Sequence, residues 1–462
     1  MVQPASGKPP ITRRRLLRHL AGDVRGMGWV FVGVGLLACS GGTARPGGTG
    51  AQSASATSSP PQRIDVWWPY ADNNPSVPPA WDDFKQRHPG WTGELTMGVT
   101  YEKFQASLAG GTVPDAYWAG FDFVQVAAYK GMFRPLDSYI SRDKVKLDQY
   151  FPASLAGARY KGKLYGLPHH SDVRSVYSNQ VVLRDGGLDP GKPPASWDDF
   201  RTANQRLLHK DAQDTIDRIG FDPTWQIGGP VALMYLQANG VPLLSNDGAQ
   251  PGFATAAGIE ALRWLADTIA AIGGASALAG FERRFQNGIG EALARNAAGM
   301  ALAGMWILGH WVYGLEPASQ IAQWPMPGGP NARGKFFGYY SGTTGVVPAA
   351  AARPEAGWEF TKYQASPEGQ RFVQSVDGSW DQACIESVAN DPEVLKRQPW
   401  RKRANELLAQ ATLPAYFPFP GAAEIQTAMN NALDPLLKGQ QGPDATMQDL
   451  KQQVQQVMDQ YR

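Results

Sequence analysis

The sequence predicts a mixed α/β body, and three observations carry this prediction. The chain has 462 residues, which is too long for one ordinary domain and fits two lobes that each bury a core. Hydrophobic residues make up 43% and charged residues 18%, with 15 Trp and 16 Tyr, so the chain is neither disordered nor collagen-like. Short β-type runs alternate with helical runs along most of the chain, as is typical of α/β domains.

Residues 1–38 have the composition of a signal peptide. Their basic residues end at Arg25, and Asp23 is their single acidic residue. The uncharged stretch that follows is shorter than the ~20 residues of a membrane span, so we expect it to be removed. The order LLAC at residues 36–39 resembles the lipobox of bacterial lipoproteins, which implies that Cys39 is lipidated and becomes the mature N-terminus. An uncleaved membrane anchor is the alternative.

The signal peptide also indicates the export route and the location of the mature protein. Arg13 and Arg14 lie in TRRRLLR, which resembles the twin-arginine export motif, and the general secretory route is the alternative. Either route puts the body in the periplasm or on the outer face of the cytoplasmic membrane. Residues 39–62 consist largely of Gly, Ser, Thr, Ala and Pro, which predicts a flexible tether between the lipid anchor and the body.

Charge and cysteine usage exclude several classes of protein. Without its basic leader the chain is mildly acidic and has no basic stripe, so we expect no nucleic-acid partner. Cys39 and Cys384 are the two cysteines, so a lipid on Cys39 leaves Cys384 without an intrachain partner. His169 and His170 are neighbours on a predicted strand and point to opposite faces, so we expect neither a metal nor a cofactor.

The body opens with a strand in RIDVWWPY, from Arg63, and a helix over residues 81–88 that ends at Pro89-Gly90. The same order follows twice: TGELTMGVT is a predicted strand and YEKFQASLAGG a helix, then PDAYWAG is a strand and VQVAAYKGM a helix. Ser196 and Thr446 are predicted helix caps. The later predicted helices are SWDDFRTANQRLLHK, GIEALRWLADTIAAI, EAGWEFTKYQA and MQDLKQQVQQVMDQY.

Seven fragments, in order and at similar spacing, resemble the bacterial extracellular solute-binding proteins whose best-known members bind maltose and other sugars. The fragments are LAGGTVPDAYWAG (108–120), GMFRPLDSYI (131–140), KGKLYGLPHHSDVRSVYSN (161–179), PPASWDDF (193–200), AAGMALAGMW (297–306), WPMPGGP (324–330) and RPEAGWEFTKYQASPEGQ (353–370).

The resemblance implies a two-lobed, periplasmic-binding-protein-like fold of type II, with a hinge and a cleft between the lobes. Residues 63–168 and 340–380 would form the N-lobe, and residues 172–325 and 385–462 the C-lobe. The implied function is the substrate-binding component of an ABC importer, a monomer that captures a sugar of one to a few units by hinge closure. Its partners would be the sugar, the permease subunits and, through the lipid anchor, the membrane.

A sugar site needs flat aromatic rings for the apolar CH faces and carboxylates or amides for the rim of hydroxyls. Trp68 ends the first strand, where an α/β cleft is expected, and Trp225 lies on a loop after a later strand. Gly342 allows close backbone approach to a ligand. Tyr416, in LPAYFPFP, is a further candidate to reach the cleft. The other candidates come from the resemblance, and they are Trp118, Asp122, Asp172 and Trp306.

One departure from the family bears on ligand size. Relatives often carry aromatic residues near Glu424, where this chain has Gly421, Ala422 and Ala423, which favours a smaller ligand. The same fold could bind glycerol phosphate, a polyamine or a peptide instead. An exported glycoside hydrolase is a further alternative, because it too pairs carboxylates in an aromatic cleft. We expect no enzyme, since the sequence contains no recognisable catalytic motif.

Overall fold

A computed structural model describes residues 62–70, 74–225, 229–307, 320–376, 379 and 381–462. They belong to one folded unit, Ser58–Arg462. The predicted signal peptide, Cys39 and all of the predicted tether except Gln62 lie outside the described residues.

The described strands are short, apart from one of 13 residues. In chain order they are β1 (Arg63–Trp67), β2 (Thr92–Thr96), β3 (Ala116–Gly120), β4 (Arg159–Tyr160), β5 (Lys163–Leu164), β6 (Leu167–Asn179), β7 (His209–Lys210), β8 (Ile216–Asp222), β9 (Ala298–Ala303), β10 (Ile321–Trp324), β11 (Met326–Pro327), β12 (Phe336–Phe337), β13 (Tyr339–Val346) and β14 (Leu413–Pro414).

Helices lie between most of these strands. In chain order they are α1 (Val77–Arg87), α2 (Tyr101–Ala109), α3 (Phe121–Tyr129), α4 (Asp137–Arg142), α5 (Pro152–Gly157), α6 (Gln180–Asp185), α7 (Trp197–Leu207), α8 (Val231–Ala238), α9 (Ala256–Ile272), α10 (Ala275–Glu282), α11 (Gly288–Ala294), α12 (Pro354–Ala365), α13 (Pro367–Ser375), α14 (Glu386–Ala389), α15 (Pro392–Arg397), α16 (Arg401–Gln410), α17 (Ala422–Leu437) and α18 (Pro443–Asp459).

The main sheet has the order β2-β1-β3-β13-β6-β9-β8-β7, with β10 beside β6 and β14 beside β13. The strand β6 changes partners along its length. Its first part, Leu167 to Arg174, pairs antiparallel with β13, whereas Ser175 to Asn179 pair with β9 and β10. The long strand therefore joins two halves of the sheet, which we call the first half (β2, β1, β3, β13) and the second half (β10, β9, β8, β7).

In the first half, helices cover both faces of the sheet, and the alternation of side chains along β3 shows this. Ala116 and Trp118 pack into a core with residues of α1 and α12. Tyr117 and Ala119 point the other way and pack with residues of α2 and α3. A strand covered on both faces is largely apolar, which is why AYWAG has no charged side chain.

The second half is layered in the same way. Trp197, Phe200 and Trp264, from α7 and α9, form the core on one face, and α17 and α18 pack into that core. Residues of α10 and α11 cover the other face. Helices α14 and α16 instead pack with Tyr150 and Trp358, beside the first half of the sheet.

Two predicted caps have different outcomes. Ser196 caps α7 in a capping box with Asp199, as the sequence predicts. The prediction of Thr446 as a cap is wrong, because α18 begins one turn earlier, at Pro443, and Thr446 is buried inside it. Proline is favoured in the first turn of a helix, since its missing N–H needs no partner there.

No single described helix has the length and apolar composition of a membrane span, although α9 and α10, which meet at a bend of 67°, pass this test together.

Candidate functional site

A cavity of about 270 Å³ opens where β6 passes from the first half of the sheet to the second. The residues that line it come from the end of β1, the segment before α1, β6, β13, the segment after β9 and the segment between α13 and α14. The lining residues are Trp68, Tyr70, Asn74, His170, Asp172, Arg174, Trp306, Ser341, Gly342, Thr343 and Asp381. Four of them, Trp68, Asp172, Trp306 and Gly342, are site residues predicted from the sequence.

Aromatic rings form two parts of the cavity wall. Trp68 is 3% exposed, and its ring meets Tyr70 edge-on at 5.5 Å between centroids. Trp306 is half-buried and packs on the guanidinium of Arg174, which lies 4.7 Å from the ring centroid. Trp68 follows β1 in the first half and Trp306 follows β9 in the second, so the two halves each supply a ring to the cavity.

Asp172 and Arg174 form a buried ion pair on β6. The other carboxylate oxygen of Asp172 accepts a hydrogen bond from the backbone N–H of Met305 at 2.8 Å. Burial lowers the pKa of Arg174 to about 10, and the charge of Asp122 opposes this shift, so the guanidinium stays charged at neutral pH. Asp172 thus fixes both Arg174 and the segment that carries Trp306.

A second carboxylate, Asp381, is buried at the other side of the cavity. Asn74 Nδ2 lies 3.2 Å from each of its oxygens, and the Ser76 hydroxyl donates to it. His170 Nδ1 lies 3.0 Å from Asp381 Oδ1. Burial alone would raise the pKa of Asp381, but His170 and Ser76 together hold that pKa below its ordinary value, so the carboxylate is ionised at neutral pH.

His169 lies behind the cavity wall. Its ring sits beside those of Trp68 and Trp118, and its Nε2 is 2.9 Å from the Thr343 hydroxyl. Burial lowers the pKa of His169 to about 3, so this imidazole is neutral at physiological pH. The opposite orientation of His169 and His170 stays a prediction, because the pairing of β6 with β13 shifts register at His169 and the two ring centroids lie 6.3 Å apart.

Gly342 is required by the backbone around it. Its φ is +156°, and a Cβ at this position would meet the carbonyl oxygen of His170 at 2.3 Å and the Phe121 ring at 2.9 Å. The sequence predicts close backbone approach at Gly342 to a ligand. The close approach that the structure shows is to β6 and α3, although Gly342 also lines the cavity.

The prediction of Trp118 as a ligand contact is not supported, because its ring is buried beneath the cavity wall. It is 2% exposed and packs edge-on against Trp68 at 5.0 Å and Phe360 at 5.1 Å. Trp225 also lies away from the cavity, since it packs against Phe281 and Phe285 of the second half.

Asp122 and Tyr416 are close to the site without lining the cavity. Asp122 lies in the first turn of α3, where burial raises its pKa above the ordinary value while backbone N–H groups and Arg174 oppose that shift. Tyr416 is 5% exposed and packs edge-on against Tyr340. The structure therefore places both in the wall behind the cavity lining.

The cavity also contains residues that the sequence analysis missed. His170 and Arg174 are each two positions from Asp172, and side chains two apart on a strand share a face, so alternation along β6 is a signal that finds them. Asn74 and Asp381 are 307 positions apart and have no such signal. Only the folded chain brings these two together.

Residues 80–400 match the family described as bacterial extracellular solute-binding protein. A putative binding protein of Brucella abortus is 30% identical over 125 residues, which cover 26% of this chain and only 28% of that protein. The maltotriose-binding protein of Pyrococcus abyssi is 23% identical over 347 residues, which cover 72% of this chain and 68% of that protein.

Solved structures agree on the fold. An ABC transporter solute-binding protein from Thermotoga lettingae, bound with α-D-tagatose, superposes with a TM-score of 0.72 at 19% identity, over 86% of this chain and 100% of that one. This similarity confirms the predicted two-lobed α/β fold. The family and these neighbours are substrate-binding proteins and not enzymes. Since the family match spans more than half of the sequence, the chain belongs to the bacterial extracellular solute-binding proteins.

Proposed function

We propose that this chain is the substrate-binding component of an ABC importer and that its cavity holds a sugar of one or two units. The observation that carries the proposal is the composition of the cavity wall. Trp68 and Trp306 offer rings for the apolar faces of a sugar, and Asn74, Ser341 and Thr343 offer amide and hydroxyl groups for its rim.

The size of the cavity supports a small ligand. Its volume of about 270 Å³ lies just below the ~300–1,000 Å³ that is common for sites of drug-sized ligands. The small residues Gly421, Ala422 and Ala423 agree with this. Of the relatives compared above, one is bound with tagatose, a single sugar unit, and one is named for maltotriose.

The charges around the cavity favour a neutral ligand over its charged rivals. Arg174 is paired with Asp172, and Asp381 accepts hydrogen bonds from Asn74 and Ser76 and lies 3.0 Å from His170 Nδ1. A glycerol phosphate would need a cation whose charge is not already compensated, and a polyamine would need carboxylate oxygens that do not already accept from these donors. A neutral sugar can use the remaining hydrogen-bonding capacity of these groups without breaking either pair.

We further propose that the two halves of the sheet are the lobes of a hinged receptor, with β6 as one crossing. Helices α14 and α16 would then belong to the first lobe, and α17 and α18 to the second. Driving an open to closed ratio from 99:1 to 1:99 takes about 5.5 kcal/mol of differential binding. Rings contributed by both lobes supply such a difference, because only the closed form brings Trp68 and Trp306 to the same ligand.

Calorimetric titration of the mature protein with a panel of ligands tests the proposal. The panel contains neutral mono- and disaccharides, glycerol phosphate, a polyamine and short peptides. We expect a neutral sugar to bind with one-to-one stoichiometry and the charged ligands to show no heat of binding. Tight binding of a charged ligand, or product formation from glycans with multiple turnover, would overturn it.

The anchor proposed from the sequence has its own test. We propose that Cys39 is lipidated, and Cys39→Ala should therefore move the protein from the membrane fraction to the soluble fraction. Sugar affinity and melting temperature should stay unchanged, because residues 40–61 lie before the first strand. Fractionation with immunodetection measures this, and equal membrane retention of the variant would contradict the lipoprotein proposal.

A further inference from the structure

A second cavity, of about 610 Å³, lies in the second half of the sheet. Its lining residues are His209, Asp217, Arg218, Arg284, Phe285, Arg295, Asn296 and Ala297. The cavity is at the amino ends of β8 and β9, whereas Trp306 follows the carboxyl end of β9. The five steps along β9 at ~3.3 Å each separate these two ends by about 16 Å, so the second cavity is distinct from the sugar site.

Two arginines, Arg218 and Arg284, contribute positive charge to this cavity. Arg218 Nε donates to the carbonyl oxygen of Leu207 at 3.1 Å, and Arg284 Nη1 donates to that of Ile216 at 2.6 Å. Both acceptors are neutral backbone groups. Among the described residues, neither guanidinium forms an ion pair with a carboxylate.

Two acidic groups bear on the charge of this cavity. Asp217 lines it and lies 2.6 Å from Nδ1 of His209, which is charged only when protonated, whereas Glu291 is buried outside the lining and paired with Arg295 at 2.6 Å. Asp217 therefore offsets one of the two positive charges of Arg218 and Arg284 without forming an ion pair with either among the described residues, so the cavity keeps a net positive charge. This differs from the sugar site, where Arg174 has Asp172 as its partner.

The backbone bonds also fix the orientation of the two guanidinium groups. Each guanidinium has five N–H donors in a planar fork, and only one is used by the carbonyl that holds it. Two guanidinium groups with unused donors, in a cavity of net positive charge, match the oxygens of a tetrahedral oxyanion, which arginine binds through two parallel hydrogen bonds.

We propose that this cavity is a binding site for a phosphate group, carried either by a free phosphate or ester or by the headgroup of an anionic phospholipid. The cavity volume exceeds what a single phosphate fills, so the rest of an ester or headgroup fits beside it. Phe285 and Ala297 provide an apolar wall for that part. Because the site is separate from the sugar cavity, its occupation needs no change in the sugar-binding residues.

The test uses the mature protein and a variant carrying Arg218→Gln and Arg284→Gln. The matched control carries Arg201→Gln and Arg263→Gln, which remove the same charge from exposed ion pairs elsewhere on the second half. Inorganic phosphate and glycerol phosphate are titrated by calorimetry at low salt. Vesicles of phosphatidylglycerol in phosphatidylcholine, and of phosphatidylcholine alone, are tested by co-sedimentation with protein that lacks the lipid anchor.

We expect the protein to bind at least one of these phosphate sources and the Arg218/Arg284 variant to bind it at least tenfold more weakly, while the control variant binds normally. Saturable binding of phosphate or its ester without vesicle binding identifies the small ligand. Co-sedimentation only with phosphatidylglycerol identifies the headgroup. Unchanged sugar affinity in the variant shows that it is folded. The proposal is overturned if neither source binds, or if the variant and the control lose binding equally.

Discussion

Trp306 and Trp118 have the same side chain but different surroundings, so their substitutions should have different effects. Trp306 is half-buried at the cavity, and Trp306→Ala should weaken sugar binding at least tenfold, or about 1.4 kcal/mol, with little change in the apo melting temperature. Trp118 is 2% exposed in the core, and Trp118→Ala should cost about 3–5 kcal/mol of stability. Calorimetry and denaturant unfolding measure the two quantities. The reverse pattern would show that Trp306 is a core residue.

These two residues also show how far the sequence could predict the site. Order and spacing of the family fragments made Trp306 and Asp172 candidates, and the missing side chain of glycine made Gly342 one; all three line the cavity. They could not show that Trp118 lies beneath Trp68, since that depends on which face of β3 meets α1 and α12. The sequence could not predict Asp381 as a lining residue for a similar reason. Its contact with Asn74 joins residues 307 positions apart and leaves no local pattern in the sequence.

His169 should make stability depend on pH. Its pKa falls from an ordinary 6.5 to about 3 on folding, because burial disfavours the charged form. Between these values the unfolded chain binds a proton that the folded chain does not, so stability rises with pH from about 3 to 6.5. The difference is at most about 5 kcal/mol.

The substitution His169→Gln should flatten this rise, whatever it costs at neutral pH. Urea unfolding between pH 4 and 7 measures the slope. His209→Gln is the control, because His209 is largely exposed and its removal should leave most of the slope in place. An identical slope in His169→Gln and the unmodified protein would contradict the assignment of a neutral, buried imidazole.

At the scale of elements, the pairing of β13 with β6 depends on Gly342. Gly342→Ala places a Cβ against the His170 carbonyl and the Phe121 ring at a φ that L-residues rarely adopt, so we expect a loss of about 2–4 kcal/mol. Sugar affinity should fall as well, because His170 lines the cavity. Thermal and denaturant unfolding measure the loss.

Gly110→Ala is the matched control for that substitution. Gly110 has an αR backbone at the end of α2, and a Cβ there finds its nearest neighbours at 3.5 and 3.6 Å, so stability should change by less than about 0.5 kcal/mol. Equal effects at the two glycines would show that close packing at Gly342 is not what this position requires.

Element ends show a second limit of prediction from sequence. The predicted helix at residues 81–88 and the helix beginning at Ser196 are confirmed as α1 and α7, although α1 begins earlier, at Val77. The apolar spacing that predicts a helix continues over its interior and says little about the first turn. In the first turn, a proline such as Pro443 or a cap such as Ser196 determines where the helix begins. Where the sequence offers two such residues, it does not show which of them begins the helix.

At the scale of the whole molecule, we propose that a sugar is held between two lobes. One strand, β6, carries three lining side chains on one face and continues into both halves of the sheet. A ligand that contacts Trp68 and Trp306 together links the halves, and it favours the closed form only by its differential affinity for that form. Sugar binding and compaction should therefore occur together.

Small-angle X-ray scattering during a sugar titration measures whether the protein becomes more compact as the sugar binds. We expect the radius of gyration to decrease as the calorimetrically identified sugar saturates the protein, with the midpoint at the same sugar concentration as binding. In Trp306→Ala the midpoint should move to at least tenfold higher sugar. Saturation without any change in the radius of gyration, or a midpoint that Trp306→Ala leaves unmoved, would contradict a sugar held between two closing lobes.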